Sequence, residues 1–338
     1  MVILSAPFDL EKNRVKGEVI RRGARRVLVQ LPEGLRSKAF QIASVIEEAG
    51  ALAIVSADPC YGACDLALEE TRSLSADLLI HFGHSESGYF SLGGDVPIIY
   101  VEAKAIVNVS DVVEKSLEHL RGWSKIGLAT TVQHAHSMDE AVKVLENAGK
   151  RIYVGREPSL KYPGQVLGCD YRNCKSISSM VDAFLFIGSG LFHAIGVFLA
   201  TMKPTIAADP FTGNVIRVDD FAKVIINRRW MDICEASRAK RWGVIVGLKS
   251  GQQNLELALK LKGDLEVSGR RAILLSMREI TPDTLRNFTE IEAYVNTACP
   301  RISLYETRLF DKPVLIPKEV YVALGKMSWE EYLRSGLL

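Results

Sequence analysis

Six cysteines in a chain of 338 residues are the first side chains whose chemistry needs an account. Cys60 and Cys64 share one tight, glycine-containing loop, DPCYGACD. Cys169 and Cys174 lie in GQVLGCDYRNC, Cys299 in TACPRIS, and Cys234 in a long polar helical stretch. The close pair could be a redox couple, half of a zinc site, ligands to an iron–sulfur cluster, or two unrelated small residues. CxxxC is not the CxxC spacing of thioredoxin-like redox sites. A zinc knuckle wants a second close pair, and Cys169 and Cys174 have four residues between them and no flanking histidines. Cys234 needs no more than packing, since a buried cysteine behaves as a small hydrophobe.

Five of the six histidines also sit where strands end: His81 and His84 in HFGH, His134 and His136 in HAH, and His193. HxxH and HxH could bind zinc, although loop histidines more often hydrogen-bond backbone or a ligand. His119 falls in a helical stretch. Three turns read as ligand cradles: Thr130-Thr131, Gly188-Ser189-Gly190, and Lys249-Ser250-Gly251-Gln252. Backbone amides of the GSG turn, where a strand meets a helix, could hold a carboxylate or a ribose edge. The full GxGxxG fingerprint is missing. Plain caps and turns explain the same residues.

The elements that must position these residues repeat three times. RRVLVQLPEGL, SKIGLATTVQHAH and RWGVIVGLKSGQQN each read as a strand ending in a polar turn, followed by an amphipathic helical stretch. A second strand follows in ALAIVS, RIYVG and RAILLS. A third ends in a polar loop in ADLLIHFGHSESG, VDAFLFIGSGLFH and IEAYVNTACPRIS. A fourth begins at a proline in PIIYVEA, PTIAADP and PVLIPKE, where a residue without an N–H fits best. Short apolar runs alternating with helices predict parallel sheets joined by right-handed crossovers. The fold expected is α/β: three Rossmann-like domains with four-stranded parallel sheets, over residues 1–104, 105–211 and 212–338, the last opened by a connecting helix.

In open parallel sheets, ligands bind beyond the carboxyl ends of the strands. Each unit carries at least one cysteine there. If the units face a common centre, three thiolates converge, and three sulfur ligands leave one position of a cubane cluster or a tetrahedral zinc open.

The bulk numbers restrict partners. A net charge of +2 shows no commitment to nucleic acid or an anionic membrane. The N-terminus has only a short apolar stretch before acids and bases, which predicts a cytosolic protein with reduced thiols. Residues 183–202, AFLFIGSGLFHAIGVFLATM, lack Asp, Glu, Lys and Arg over the length of a membrane span. The interrupting glycines and His193 favour a strand, a turn and an apolar helix instead.

LPEGL, YGACD, TTVQHAH, PGQVLGCDY, IGSGLFHAIG, ADPF and ACPR together resemble the archaeal diphthamide-biosynthesis enzymes, the 2-(3-amino-3-carboxypropyl)histidine synthases, from about Arg25 to Pro317. The resemblance implies a pseudo-threefold arrangement in which each unit supplies one cysteine to a central 4Fe–4S cluster. By position these ligands are Cys64, Cys169 and Cys299, with Cys60 and Cys174 as neighbours. It implies S-adenosylmethionine at the open iron, with its sulfur–γ-carbon bond cut by one electron from a donor. The 3-amino-3-carboxypropyl group then goes to imidazole C2 of a histidine on translation elongation factor 2. The shell around S-adenosylmethionine is expected at Thr130, Thr131, Gly188, Ser189, Gly190, Asp209 and Gln252. It also implies a homodimer, for which the helix after GSG and the Arg228-Arg229-Trp230 stretch are candidate contacts. Three alternatives stay open. CxxxC is half of the CxxxCxxC of conventional radical enzymes, and the three-unit plan also resembles quinolinate synthase. A non-catalytic, cluster-bearing partner subunit is the third.

Overall fold

The computed structural model describes residues 7–86 and 94–338. The short apolar N-terminal stretch and the far end of the HFGHSESG loop fall mostly outside those residues. Three sheets follow the three repeats. The first strands are Arg26–Gln30, Lys125–Thr130 and Arg241–Gly247, and the second are Leu52–Val55, Arg151–Val154 and Arg271–Met277. The third are Leu78–Phe82, Ala183–Ile187 and Ala293–Asn296, and the fourth Ile98–Val101, Thr205–Ala208 and Val314–Leu315. Every sheet has the order second–first–third–fourth, with these strands parallel. The first and third strands are buried on both faces, which is why they read as unbroken apolar runs.

One device recurs in all three units. The acid that precedes the third strand accepts hydrogen bonds from two successive backbone N–H groups where the first strand begins. Asp77 holds Arg25 and Arg26 at 2.7 and 2.8 Å, Asp182 holds Ser124 and Lys125 at 3.0 and 2.8 Å, and Glu292 holds Lys240 and Arg241 at 2.5 and 3.2 Å. Those N–H donors lower all three carboxyl pKa values. The clamp sets the register of first against third strand at the end away from the ligand loops.

The second sheet departs from the four strands expected. Val215–Arg217 adds a fifth, antiparallel to Thr205–Ala208 and beyond residue 211. The turn between them is built by Asp209, whose Oδ1 accepts from the N–H of Phe211 at 2.9 Å while its backbone pairs with Asn214 and Gly213. A three-residue strand is too short to show a period, so the sequence reading absorbed it into the connecting stretch. A small two-stranded ribbon, Phe8–Asp9 with Lys104–Ala105, closes the first unit.

Unit one has cores of its own, whereas units two and three share one. The shared core holds the helix Phe192–Thr201, whose residues 194–200 are all buried against the helix Asp219–Ala236 and its surroundings. That corrects the expectation that this helix offers an outer contact face. Arg229 is likewise interior and fully buried. Its guanidinium donates to both oxygens of Glu319, to Asp232 and to the carbonyls of Ser303 and Val314. The residues 183–202 resolve as strand, turn and helix, and among the described residues no helix is long and apolar enough to cross a membrane.

Candidate metal centre

The carboxyl ends of the three sheets converge on one cavity of about 370 Å³, and Cys64, Cys169 and Cys299 all line it. Each arrives by a different local device.

Cys64 follows the second strand of unit one. Gln30, buried at the end of the first strand, donates to the Asp65 carbonyl at 2.6 Å and accepts from the Ala67 N–H at 3.2 Å. Unit three grips the same loop through the Lys249–Gln252 turn. The Gly251 N–H donates to the Cys64 carbonyl at 2.7 Å, and the Ser250 hydroxyl accepts from the Leu66 N–H at 3.2 Å. Lys249 Nζ lies 2.9 Å from Asp65, 2.7 Å from Glu279 and 4.3 Å from the centre of the Tyr61 ring. Gln252 Nε2 donates to the Cys64 sulfur at 3.4 Å.

Cys169 sits on the loop after the second strand of unit two. PGQV lies beside the end of the first strand: the Thr130 N–H donates to the Gly164 carbonyl at 2.9 Å and the Val166 N–H donates to the Thr130 carbonyl at 2.8 Å. Gly164 has φ +68°, and a Cβ there would lie 2.7 Å from the Met138 methyl, so the turn requires glycine. Gln165, fully buried, donates to Ser85 of unit one at 2.8 Å. Cys299 caps the short helix Pro300–Tyr305, its carbonyl held by Asn296 Nδ2 at 2.7 Å.

Desolvation pushes all three thiol pKa values up, Cys64 to about 11. The Gln252 donor opposes this at Cys64, and the neighbouring thiols reinforce it at Cys169. At Cys299 the backbone N–H groups of Arg301 and Ile302 pull the other way. Cys169 is accessible toward the cavity, yet packed protein still surrounds its sulfur. None of the six cysteines is in a disulfide. Neutral thiols in such a place ionise on binding metal, which displaces their protons.

The spacing of the three sulfurs bears on what they could hold. Among the described residues, the one set of three His, Cys or acidic side chains with ligand atoms all within 4.8 Å is Cys60, His81 and His84. At least one pair of the Cys64, Cys169 and Cys299 sulfurs is therefore more than 4.8 Å apart, wider than the sulfurs of one tetrahedral zinc. Three thiols from three loops, each near an N–H donor or a backbone cap, suit a cluster larger than one ion.

The remaining expected residues divide. Thr131 and Gln252 line the cavity with the cysteines, as do His84 and His193. Thr130 is buried behind the wall, its hydroxyl donating to the Ile187 carbonyl at 2.7 Å. Ser189 donates to Asp209 at 3.1 Å, and Gly188, Ser189, Gly190 and Asp209 form a second layer beside the wall rather than part of it. His134 is buried, its Nδ1 without a hydrogen-bond partner among the described residues. Cys174 packs in the shared core, and Cys234 lies on the helix Asp219–Ala236. Burial lowers the pKa values of His84 and His193 to about 4, so the cavity wall carries neutral imidazoles near pH 7. A hydrogen bond to the Phe82 carbonyl offsets only part of this at His84, while Arg301 adds to it at His193.

Sequence reasoning missed the residues that hold the loops: Gln30, Gln133, Gln165 and the Lys249 ion pairs. Gln133 Nε2 donates to the Gly83 carbonyl at 2.6 Å, joining unit two to unit one. The only signal was their position, a polar residue closing or following an apolar run.

Known proteins place this chain firmly. The model of the diphthamide synthesis protein family matches residues 31–333. The 2-(3-amino-3-carboxypropyl)histidine synthase of Pyrococcus horikoshii is 40% identical over 96% of this chain and 92% of its own length. Subunit 1 of the same synthase from Gallus gallus is 29% identical over 97% of this chain and 80% of its own. The crystal structure of Dph2 from Pyrococcus horikoshii with a 4Fe–4S cluster superposes with a TM-score of 0.88 at 38% identity, covering 98% of this chain and 94% of that one. The chain belongs to the diphthamide synthesis protein family.

Proposed function

We propose that this chain is a transferase that moves the 3-amino-3-carboxypropyl group of S-adenosylmethionine to imidazole C2 of a histidine on translation elongation factor 2. Cys64, Cys169 and Cys299 would hold a 4Fe–4S cluster. The observation that carries the reading is that each of three similar units brings one free cysteine to the same cavity. The similar Dph2 of Pyrococcus horikoshii binds such a cluster. When bound, the cluster supplies one iron position free of protein ligands and, once reduced by an electron donor, one electron for cleavage of the sulfur–γ-carbon bond.

The chain's own residues then have positional and electrostatic tasks. Gln252 donates its N–H to the Cys64 sulfur, a bond that withdraws charge from the thiolate. The neutral His84 and His193 leave a positively charged sulfonium unrepelled. Arg301 stacks 4.7 Å from the Phe192 ring centre and faces Glu306 only loosely, at 4.0 Å, so its guanidinium is a donor for the methionine carboxylate. Thr131 and Gln252 face the substrate, while Thr130, the Gly188–Gly190 turn and Asp209 brace the wall from behind. Two such chains would form the working homodimer, a point light scattering tests directly.

The test is product analysis: anaerobically reconstituted protein with S-adenosylmethionine and dithionite, without a protein substrate. Methylthioadenosine is expected. 5′-Deoxyadenosine would overturn the bond assignment in favour of conventional radical chemistry. No cleavage with iron fully loaded would overturn self-contained catalysis, leaving a Lewis-acid role or a partner subunit.

A further inference from the structure

Beside the three cavity cysteines lies a second set of donors. Cys60 Sγ and one ring nitrogen each of His81 and His84 lie within 4.8 Å of one another. We propose that Cys60, His81 and His84 form a separate metal site that binds one zinc ion, with its fourth position open toward the cavity.

Hydrogen bonds fix which nitrogen of His81 is free. Gln30 uses its Nε2 to donate to the Asp65 carbonyl at 2.6 Å, so its Oε1 is the atom facing His81, where it already accepts from the Ala67 N–H. His81 Nδ1 lies 2.8 Å from that Oε1 and must therefore carry the proton. Nε2 is left as a bare lone pair aimed at His84 Nδ1, 2.9 Å away. A ligating imidazole whose other N–H donates to a carbonyl oxygen is the usual outer arrangement of a metal-bound histidine. Without metal, His84 Nδ1–H donates to His81 Nε2. With zinc, that proton moves to His84 Nε2, both facing lone pairs turn to the ion, and the Cys60 thiol gives up its proton to solvent.

The dimensions suit one ion. Zn–N bonds of ~2.0–2.1 Å at a tetrahedral angle place two nitrogens about 3.3 Å apart, so the imidazoles need to part by only about 0.4 Å. His81 is held from behind by the Tyr100 ring, 5.6 Å between centroids, and is fully buried. Gly83, at φ +82°, makes the turn that brings His84 back onto His81. A Cβ there would lie 2.8 Å from Pro32, so no other residue builds this HxxH geometry without a shift. His84 lines the cavity and Cys60 does not, which points the open side of the site inward. Two imidazoles and one thiolate are a borderline donor set favouring zinc, and three protein ligands with one open position are the pattern of a reactive rather than a purely structural zinc.

None of these three side chains is a proposed cluster ligand, so the two sites can be read apart in one sample. Holoenzyme purified anaerobically is dialysed against zinc, then against metal-free buffer. Zinc and iron per chain are measured by mass spectrometry, and the zinc environment by X-ray absorption at the zinc edge. The expected result is one zinc per chain in addition to cluster iron, with two nitrogens and one sulfur in its shell. C60A and H84Q should each lower retained zinc about tenfold or more at unchanged iron. The unchanged iron shows that the variants fold. Zinc at trace stoichiometry, a shell of sulfur alone, or full zinc retention in C60A overturns the site. Loss of iron instead of zinc in C60A also overturns it, by making Cys60 a cluster ligand.

Discussion

Lys249 joins the units where it matters most, and replacing it with Met tests how. Its side chain is 7% exposed and that of Asp65 is 9%, with 2.9 Å between the charges. Burial lowers the pKa of the Lys249 ammonium, but its hydrogen bonds to Glu279 and Asp65 outweigh that and raise it overall. Lys249→Met keeps the bulk of the stem and leaves the Asp65 carboxylate without its cation. Removing one partner of a buried pair costs ~3–5 kcal/mol. Glu279 is 42% exposed and partly screened, so the loss here is set at ~2–4 kcal/mol. The penalty falls on opening of the 60–67 loop from the 249–252 turn, so its readout is hydrogen exchange at the Leu66 and Gly251 amides, which bond across that seam. At 1.36 kcal/mol per decade, exchange should speed by about 30- to 900-fold. The double variant Lys249→Met/Asp65→Asn removes both charges and should recover more than about 1 kcal/mol relative to the sum of the single variants. Acceleration of less than about threefold, or single effects that add within ~0.5 kcal/mol, would refute the clasp.

Three further outcomes follow from the same geometry. Ser at Cys64, Cys169 or Cys299 should each cut iron retained after reconstitution to background, while Cys174→Ser and Cys234→Ser keep it; iron analysis decides. The clamp acids give a pH dependence with a fixed sign. Their folded pKa values are depressed, so their stabilisation is present above the unfolded values near 4 and is lost as pH falls through the folded ones. Asp77→Asn should therefore lower stability at pH 7 and flatten its acid limb, seen as a smaller change in unfolding midpoint between pH 6 and pH 3. Arg229→Met should destabilise by ~3–5 kcal/mol, since Glu319 stays buried without its cation and Asp232 keeps only Arg228 as a cation; denaturant unfolding followed by tryptophan fluorescence measures it.

The parts of the fold that were legible are those with a period. Parallel strands buried on both faces read as apolar runs, and thirteen residues such as LELALKLKGDLEV announce a helix. Three aligned copies made each run more trustworthy than it was alone. The cysteines were legible for the same reason, as reactive residues at matched strand ends. Strand order was not, because ladder partners leave no trace in a single sequence. The clamp acids were visible in hindsight as the D, D and E of SADLLIHF, MVDAFLFI and EIEAYVNT, but a lone acid before a strand says nothing until its N–H partners are known. Asp209 closes a strand and also caps a hairpin turn, which DPFTGN spells in turn residues and the sequence reading did not use. Arg229 read as surface because arginine almost never lies fully inside, and apart from Asp232 its acceptors are residues more than seventy positions away.

The seams around the cavity differ in kind, and that difference ranks the cysteines. Cys169 and Cys299 belong to units that share one apolar core, so their separation is set by packed interior. Unit one is joined to the others at the cavity largely by polar contacts: Gln133 to Gly83, Gln165 to Ser85, Lys161 and Tyr162 to the buried Glu102, and the Lys249–Gln252 turn to the Cys64 loop. Such bonds set position well, but each is worth only ~0.5–1.5 kcal/mol net, or ~1.5–3 kcal/mol where a charge takes part. Cys64 is thus the cavity cysteine whose place is most easily lost. A group bound across all three loops stabilises the closed seam by mass action, because it binds that arrangement and not the open one. Removing iron should accordingly raise hydrogen exchange in residues 56–67 and 249–252 well before residues 163–171 respond. A uniform rise over all the cavity loops would mean that the three units are held by one common core, and would defeat the ranking.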